Sequence, residues 1–261
     1  VDIKATAGAK QALYGNYKMM NSKELYNFHK SLYSKAVFNS QYPKSLLEQD
    51  YNWQDEFFRT GVIQDYYISV KGGSQKVGYY AGLNYYGEEG TLVGTGMQRV
   101  NGNFNVNAEI AKWLDMNVKV NFTKSYRSYA ASWTMLDDAF MKMPWDNPYE
   151  LDAEGNSTGN YLYVNSDTRS DNGKKWWSQS KWNALHTAQY NYSKDENFDF
   201  NGQLQLNVHF TDWLHFTTTN TFSAGAYKSM EYRDPRAFDS EFASGYLGNN
   251  IGLSKSFGTI N

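Results

Sequence analysis

The sequence contains no cysteine among its 261 residues, and its formal net charge is only −2. The lack of cysteine excludes a disulfide framework and a thiolate metal site. The near-neutral charge gives no indication of a nucleic-acid partner. Neither absence identifies the compartment in which the protein works.

The sequence also lacks any apolar run of about 18 residues, which excludes a transmembrane helix. Aromatic residues are nevertheless abundant at 17%, although the mean hydropathy is −0.71. An aromatic but hydrophilic chain suits a membrane β-barrel, which has an aromatic girdle outside and a polar lumen inside. Every second residue of a barrel strand is polar, so low hydropathy does not argue against a membrane.

Alternation with a period of two predicts long antiparallel strands along most of the chain. The longest run extends from Phe198 to Phe210, where apolar residues or glycine occupy every even position and polar residues lie between them. Membrane-spanning strands need about nine to eleven residues, whereas strands of soluble sheets usually have about five or six. Strand length therefore favours a membrane barrel, with the charged residues on the lumenal face.

Short turns alternate with long connections, as expected when a barrel has short turns on one side and long loops on the other. The short turns lie near Gly73, Trp113 and Trp213, and the long loops cover about 11–61, 126–196 and 228–251. The predicted fold class is all-β, a partial transmembrane antiparallel β-barrel with about seven or eight strands of a larger barrel and long extracellular loops. The whole chain, 1–261, is assigned to this membrane domain.

Local signals predict helices inside the first long loop. Asn21 and Glu24 have the spacing of a capping box, and Leu25, Phe28 and Leu32 then form an apolar stripe. A second helical turn is expected around 53–59. A short alternating segment at 188–192 could form another strand. We assign it to the long loop at 126–196 and not to the barrel. Alternation already begins at Val1, so we expect the chain to start inside a longer protein.

Several motifs of the chain resemble the SusC/RagA family of TonB-dependent transporters. The first runs from Asn52 to Gly61 and reads NWQDEFFRTG, and the strand after it ends in Val70-Lys71-Gly72-Gly73. The similarity continues at Tyr79-Tyr80-Ala81, Glu88-Glu89-Gly90, Gly94-Thr95-Gly96 and Thr211-Asp212-Trp213-Leu214. It covers most of the chain outside 126–196.

The resemblance implies an active nutrient importer in the outer membrane of a Gram-negative bacterium. Such a protein moves oligosaccharides or peptides with TonB-derived energy, together with a SusD-like surface lipoprotein. The family's plug domain and TonB box have no counterpart in this sequence, so contact with the TonB complex would need a missing segment. The expected partners are therefore the lipoprotein, the TonB complex, the cargo and outer-membrane lipids.

Aromatic residues are the main candidates for binding. Trp113 and Trp213 are predicted to lie in the girdle at the membrane–water interface. Aromatic rings beside amides can cover the C–H surface of a sugar or peptide, and the alternative is that these rings only pack the loop itself. The cargo candidates are Trp145, Tyr161, Tyr163, Trp176, Trp177 and Trp182.

The sequence shows no arrangement typical of catalysis. No nucleophile, base and orienting acid occur in a recognisable pattern, and the four histidines are too scattered to favour a metal site. We therefore predict no enzyme activity, no cofactor and no bound metal. Two other interpretations remain open, a secreted soluble β-sandwich that binds glycans and a porin-like or adhesive barrel without TonB coupling.

Overall fold

The structure is a computed structural model that describes residues 1–130, 135–164, 176–178, 183–234, 236–237 and, for the backbone alone, 246–257. Among these residues, no helix combines the length and the hydrophobicity needed to cross a membrane. The strands are β1 (Asp2–Lys10), β2 (Gly61–Gly73), β3 (Val77–Glu89), β4 (Gly96–Ala111), β5 (Leu114–Tyr129), β6 (Tyr149–Leu151), β7 (Ser157–Tyr161), β8 (Tyr192–Thr211), β9 (Leu214–Arg233) and β10 (Tyr246–Phe257).

Eight of these strands form one antiparallel sheet in the order β1-β2-β3-β4-β5-β8-β9-β10. Each inner strand pairs with its two neighbours in this order, the edge strands β1 and β10 pair with β2 and β9, and β6 pairs with β7. β8 and β9 have 20 residues each, well beyond the length that a membrane-spanning strand requires. The sheet confirms the predicted all-β class and the predicted number of strands.

Three short hairpin turns join strands at one end of the sheet. Glycine is required at Gly73, because a Cβ there would lie 2.3 Å from the carbonyl oxygen of Val77. The hairpins around Trp113 and Trp213 share one geometry, a two-residue turn that follows a register shift at Glu109/Ala111 or His209/Thr211. A bulge of this kind strengthens the local twist.

The register places the apolar side chains of the sheet on one face, which we call the apolar face. Ile3, Ile68 and Leu83 lie in one row across β1, β2 and β3, and Leu204 lies on the same face of β8. These side chains are exposed, Ile3 to 73% and Ile68 to 48%. The opposite face, the polar face, carries amides, hydroxyls and charged groups.

The first two of the three long loops fold together into a second region, which we call the loop subdomain. It consists of 11–60 and the described parts of 130–191. Its helices are α1 (Ser22–Leu32), α2 (Lys35–Gln41), a 3-10 helix (Lys44–Glu48), α3 (Trp53–Phe57), α4 (Met135–Met141) and α5 (Ala184–Tyr190), and the β6–β7 hairpin belongs to it. Its core is formed by Trp53, Phe57, Met135, Ala139, Val164, Trp176, Ala184 and Leu185.

Two predicted features of this region can be compared with the structure. The capping box is present, since the side chain of Asn21 accepts from the N–H of Glu24 and the Glu24 carboxylate accepts from the N–H of Asn21. The segment that alternated at 188–192 is helical up to Tyr190, because Asn183 caps α5 by accepting from the N–H of Leu185. β8 begins directly afterwards at Tyr192, six residues before the alternating run that starts at Phe198.

Candidate functional site

A chain of polar side chains crosses the polar face of the sheet from strand to strand. The Asn84 amide donates to the carboxylate of Asp65 on β2. Asn101 Nδ2 donates to Asn84 Oδ1 at 3.2 Å, and Thr123 Oγ1 donates to Asn101 Oδ1 at 3.0 Å. These residues occupy facing positions on β3, β4 and β5, so the alternation that makes the other face apolar creates a continuous hydrogen-bonding surface here.

The same arrangement continues on β8 and β9. Ser223 Oγ donates to Asn201 Oδ1 at 2.7 Å, and Thr217 Oγ1 donates to Asn207 Oδ1 at 3.0 Å. Amides and hydroxyls have both donors and acceptors and keep some capacity for further partners. This face can therefore hydrogen-bond with water or with a polar solute along much of the strand length.

Charged groups gather on the polar face at the end of the sheet next to the loop subdomain. Lys10 forms an ion pair with Glu88, whose other oxygen accepts from the hydroxyl of Tyr86. On β5 and β8, the Tyr129 hydroxyl donates to Asp195 Oδ2 at 2.7 Å. The polar face thus carries carboxylates with cationic or hydroxyl partners at this end.

At the opposite end, two histidines meet across a short turn. The Nδ1 atoms of His209 and His215 are 2.8 Å apart, and His209 Nε2 lies 2.9 Å from Asp115 Oδ2. No group of three or more His, Asp or Glu side chains in the described part of the chain has the placement of a metal site. We assign the cluster a role in closing the hairpin.

The two tryptophans predicted for the interfacial girdle occupy equivalent positions in adjacent hairpins. Trp113 is 56% exposed and Trp213 is 80% exposed. The N–H of His209 donates to the carbonyl oxygen of Trp113 at 2.8 Å, which brings the two turns together at one end of the sheet. Their positions suit an interfacial role, which stays a prediction.

The NWQDEFFRTG motif makes hydrogen bonds within the loop subdomain and to the β3–β4 turn of the sheet. Trp53 Nε1 donates to the carbonyl oxygens of Met143 and Asp146, at 3.0 and 3.1 Å. Arg59 binds the β3–β4 turn through its N–H to Thr91 O, at 2.8 Å, and through Nε to Gly90 O, at 3.2 Å. The motif therefore joins segments that lie far apart in the sequence.

A buried charged cluster lies beneath these contacts. Asp146 accepts hydrogen bonds from the N–H groups of Trp177 and Ser178, at 2.8 and 2.7 Å, and from the Ser178 hydroxyl. Lys142 Nζ lies 3.6 Å from Asp138 Oδ2 and 5.0 Å from the ring centre of Trp176. Burial raises the pKa of Asp146 and lowers the pKa of Lys142 to about 8, while the nearby carboxylates oppose the second shift.

The predicted cargo residues have different environments. Trp145 and Trp176 are buried, at 4% and 7% exposure. Trp177 is half-buried, and its ring lies 5.6 Å from that of Tyr42 and 6.2 Å from that of Trp145. Tyr42 in turn stacks on His29 at 4.9 Å. We call His29, Tyr42, Trp145 and Trp177 the aromatic cluster. The sequence analysis did not predict His29 and Tyr42 as members, because no local pattern connects them with tryptophans more than 100 positions away.

Two other predicted cargo residues, Tyr161 and Tyr163, are partly exposed. Tyr161 stacks on Tyr149 with ring centres 5.4 Å apart. Tyr163 is 37% exposed and its ring lies 5.2 Å from that of His186. Trp182 lies outside the described residues. A cargo-binding role for all six residues stays a prediction.

Comparison with known proteins finds relatives of one kind. No protein-family model matches the chain. It is 25% identical over 183 residues to the TonB-dependent receptor SusC of Bacteroides thetaiotaomicron, a match that covers 68% of this chain and 18% of that receptor. It is 28% identical over 87 residues to the TonB-dependent receptor P3 of Formosa agariphila, which covers 33% of this chain and 9% of that receptor.

Solved structures share the fold. The RagAB peptide importer in the closed-closed state matches with a TM-score of 0.69 at 18% identity, over 98% of this chain and 31% of the matched chain. In the open-open state the TM-score is 0.65, over 89% and 28%. The comparisons confirm the resemblance to SusC/RagA-like TonB-dependent transporters and the partial-barrel fold. The chain spans less than a third of the length of the proteins that it matches.

Proposed function

We propose that this chain forms part of the barrel wall and the extracellular loops of a TonB-dependent importer in the outer membrane of a Gram-negative bacterium. The observation that carries the proposal is a long antiparallel sheet with one exposed apolar face and one hydrogen-bonding face, in a fold shared with a solved importer. The protein would act by binding and translocation, and not by catalysis.

The apolar face supports a lipid environment. Ile3, Ile68, Leu83 and Phe104 are all more than 40% exposed, and an apolar surface that extends over neighbouring strands is typical of a contact with lipid or with another protein. Among the described residues, the only other sheet is the β6–β7 hairpin of the loop subdomain. A soluble sandwich would need a second sheet against this face, so the β-sandwich interpretation has no packing partner here.

The polar face supports a hydrated path. The hydrogen-bonded chain from Asp65 to Thr123 and the groups on β8 and β9 present amides and hydroxyls to the opposite side of the sheet. Such a surface suits the lumen of a barrel. Oligosaccharides and peptides both present hydroxyl or amide groups, and RagAB is a peptide importer, so both cargo classes are proposed.

The loop subdomain would contact the cargo and a SusD-like lipoprotein. Trp177, Tyr161 and Tyr163 are the predicted residues with accessible ring surface, while Trp145 and Trp176 would support them from the core. Energy would come from the TonB complex through a segment outside this chain.

Membrane fractionation of the full-length protein tests the proposal. We expect it in the outer membrane and, after detergent extraction, in a complex with a surface lipoprotein. Recovery of the full-length protein in the soluble fraction, without a lipoprotein, would contradict the proposal.

Cargo binding is tested by Trp177→Ala in the purified full-length complex, with peptide and oligosaccharide libraries offered separately. We expect weaker binding of one class, because the ring would cover apolar C–H surface of the cargo. Trp213→Ala is the control, since that ring lies at the other end of the sheet. Equal affinity in the wild type and Trp177→Ala would remove this residue from the site.

A further inference from the structure

The apolar face ends at one level across neighbouring strands. On β5, alternate residues are apolar from Leu114 to Phe122, and the next residue on this face is Lys124. On β8, Phe198 is followed on the same face by Glu196 and Lys194, and on β9, Ala226 is followed by Lys228. The register lines up Gln98, Tyr126, Glu196 and Lys228 in one row from β4 to β9.

A cavity of about 570 Å³ lies at this level, at the end of the sheet away from Trp113 and Trp213. The charged side chains of the apolar face that border it are Glu89, Lys194, Glu196 and Lys228. It is also bordered by Arg59 and by Glu88, Arg127 and Asp195, which the register places on the polar face. The cavity is therefore bordered by charged groups of both signs and lies directly beyond an apolar surface.

The ion pairs leave two ammonium groups at this pocket. Glu196 pairs with Lys124, whose Nζ lies 5.1 Å from the ring centre of Tyr126. Lys194 lies over the ring of Tyr192 at 4.7 Å, and within the described part of the chain no carboxylate forms a salt bridge with Lys194 or Lys228. Lys194 faces Met230 and Lys228 faces Glu196, so the two lysines are diagonal neighbours, about 7–8 Å apart at the backbone.

We propose that this pocket, the rim site, binds the phosphate of a phosphorylated lipid headgroup in the outer leaflet. The proposal rests on the proposed function, because it requires the apolar face to contact lipid. The lysines lie where the apolar face stops, which is the level of the headgroups, and a Lys ammonium binds phosphate as a point charge. The apolar face below the site would contact the acyl chains of the same lipid.

Lipid titration of the full-length protein in detergent, followed by native mass spectrometry, tests the rim site. The probes are lipid A with its phosphates, the same lipid after dephosphorylation, and phosphatidylethanolamine. We expect phosphorylated lipid A to bind tightest. A basic residue near an anionic lipid surface contributes roughly fivefold in affinity, so Lys194→Gln/Lys228→Gln should weaken binding about 25-fold.

Two further variants separate the rim site from a general charge effect. Lys71→Gln/Lys119→Gln makes the same charge change on the polar face and should leave lipid binding unchanged. Glu196→Gln removes the carboxylate that pairs with Lys124 and should strengthen binding, which loss of structure would not do. Equal affinity of the wild type and the rim double variant would overturn the proposal, as would unchanged binding of dephosphorylated lipid or complete competition by inorganic phosphate. If the protein fractionates as soluble, the proposed function fails first.

Discussion

The eight-stranded sheet and the loop subdomain place their apolar groups in opposite environments. In the sheet, Ile3 and Leu204 are exposed, whereas Phe57 in the loop subdomain is 0% exposed. The sheet joins strands that follow one another along the chain, and the loop subdomain joins distant segments, as when Trp53 donates to Asp146 O. The sheet therefore depends on its surroundings to cover its apolar face, while the loop subdomain carries a core of its own.

The largest expected difference between the regions comes from a change in that core. Phe57→Ala should destabilise the loop subdomain by about 3–5 kcal/mol, because it leaves a cavity where the side chain is fully buried. The sheet should keep its stability. Tryptophan fluorescence during denaturation reports on the loop subdomain, which contains Trp53, Trp145, Trp176 and Trp177.

Phe28→Ala is the matched control for that experiment, since Phe28 is 45% exposed. Phe28→Ala should lower the stability of the loop subdomain far less than Phe57→Ala does. Equal losses for the two variants would mean that the loop subdomain has no independent core.

The second comparison concerns the two faces of one strand. Leu204→Arg should destabilise the protein in lipid by about 2–4 kcal/mol, because it places a charge on the lipid face near the middle of the strand. The neighbouring Gln203→Arg should be tolerated, since Gln203 faces the polar side. Urea titration of folding into lipid vesicles measures both. A similar loss for both variants would contradict the assignment of faces.

The sheet could be predicted from the sequence because the alternation of side chains between its two faces is visible within each strand. A residue such as Leu204 reaches one face and Gln203 the other through strand geometry alone, and the turns at Trp113 and Trp213 follow from where alternation stops. The prediction missed the beginning of β8, where Lys194, Asp195 and Glu196 occupy both faces. Apolar and polar residues no longer alternate beyond the apolar part of the strand, although the backbone pairing continues.

The loop subdomain could be predicted only where its signals were local. The spacing of Asn21 and Glu24 indicated α1, whereas the burial of Lys142 against the rings of Trp53 and Trp176 depends on segments that meet only in the folded chain. The same limit applies to the cargo candidates. Trp145 and Trp177 were chosen by residue type, and the structure alone shows that the first is buried and the second half-buried.

Buried Lys142 makes the stability of the loop subdomain depend on pH. Its pKa is about 8 in the folded protein and 10.5 as an ordinary lysine, so between these values the unfolded form binds more protons and stability should rise with pH. The resulting gain in the free energy of unfolding is at most about 3 kcal/mol. Thermal unfolding monitored by tryptophan fluorescence from pH 7 to above 10 measures it.

Lys142→Met isolates the contribution of this lysine, because every other titrating group is retained. The variant should lose the rise in stability above pH 8, whatever its stability at neutral pH. Parallel pH profiles for the wild type and Lys142→Met would show that the lysine keeps its charge in the folded protein.

The smallest effect tests whether the local signal that predicted α1 also stabilises it. Asn21→Ala removes the acceptor for the N–H of Glu24 and should cost about 1 kcal/mol. Asn27→Ala is the control, since Asn27 is an exposed residue within α1 and alanine favours the helix interior more than asparagine does. Hydrogen exchange of the α1 amides should therefore speed up in Asn21→Ala and slow down or stay unchanged in Asn27→Ala. Unchanged exchange in both variants would mean that packing of the loop subdomain alone holds α1, and that the capping box marks the start of the helix without stabilising it.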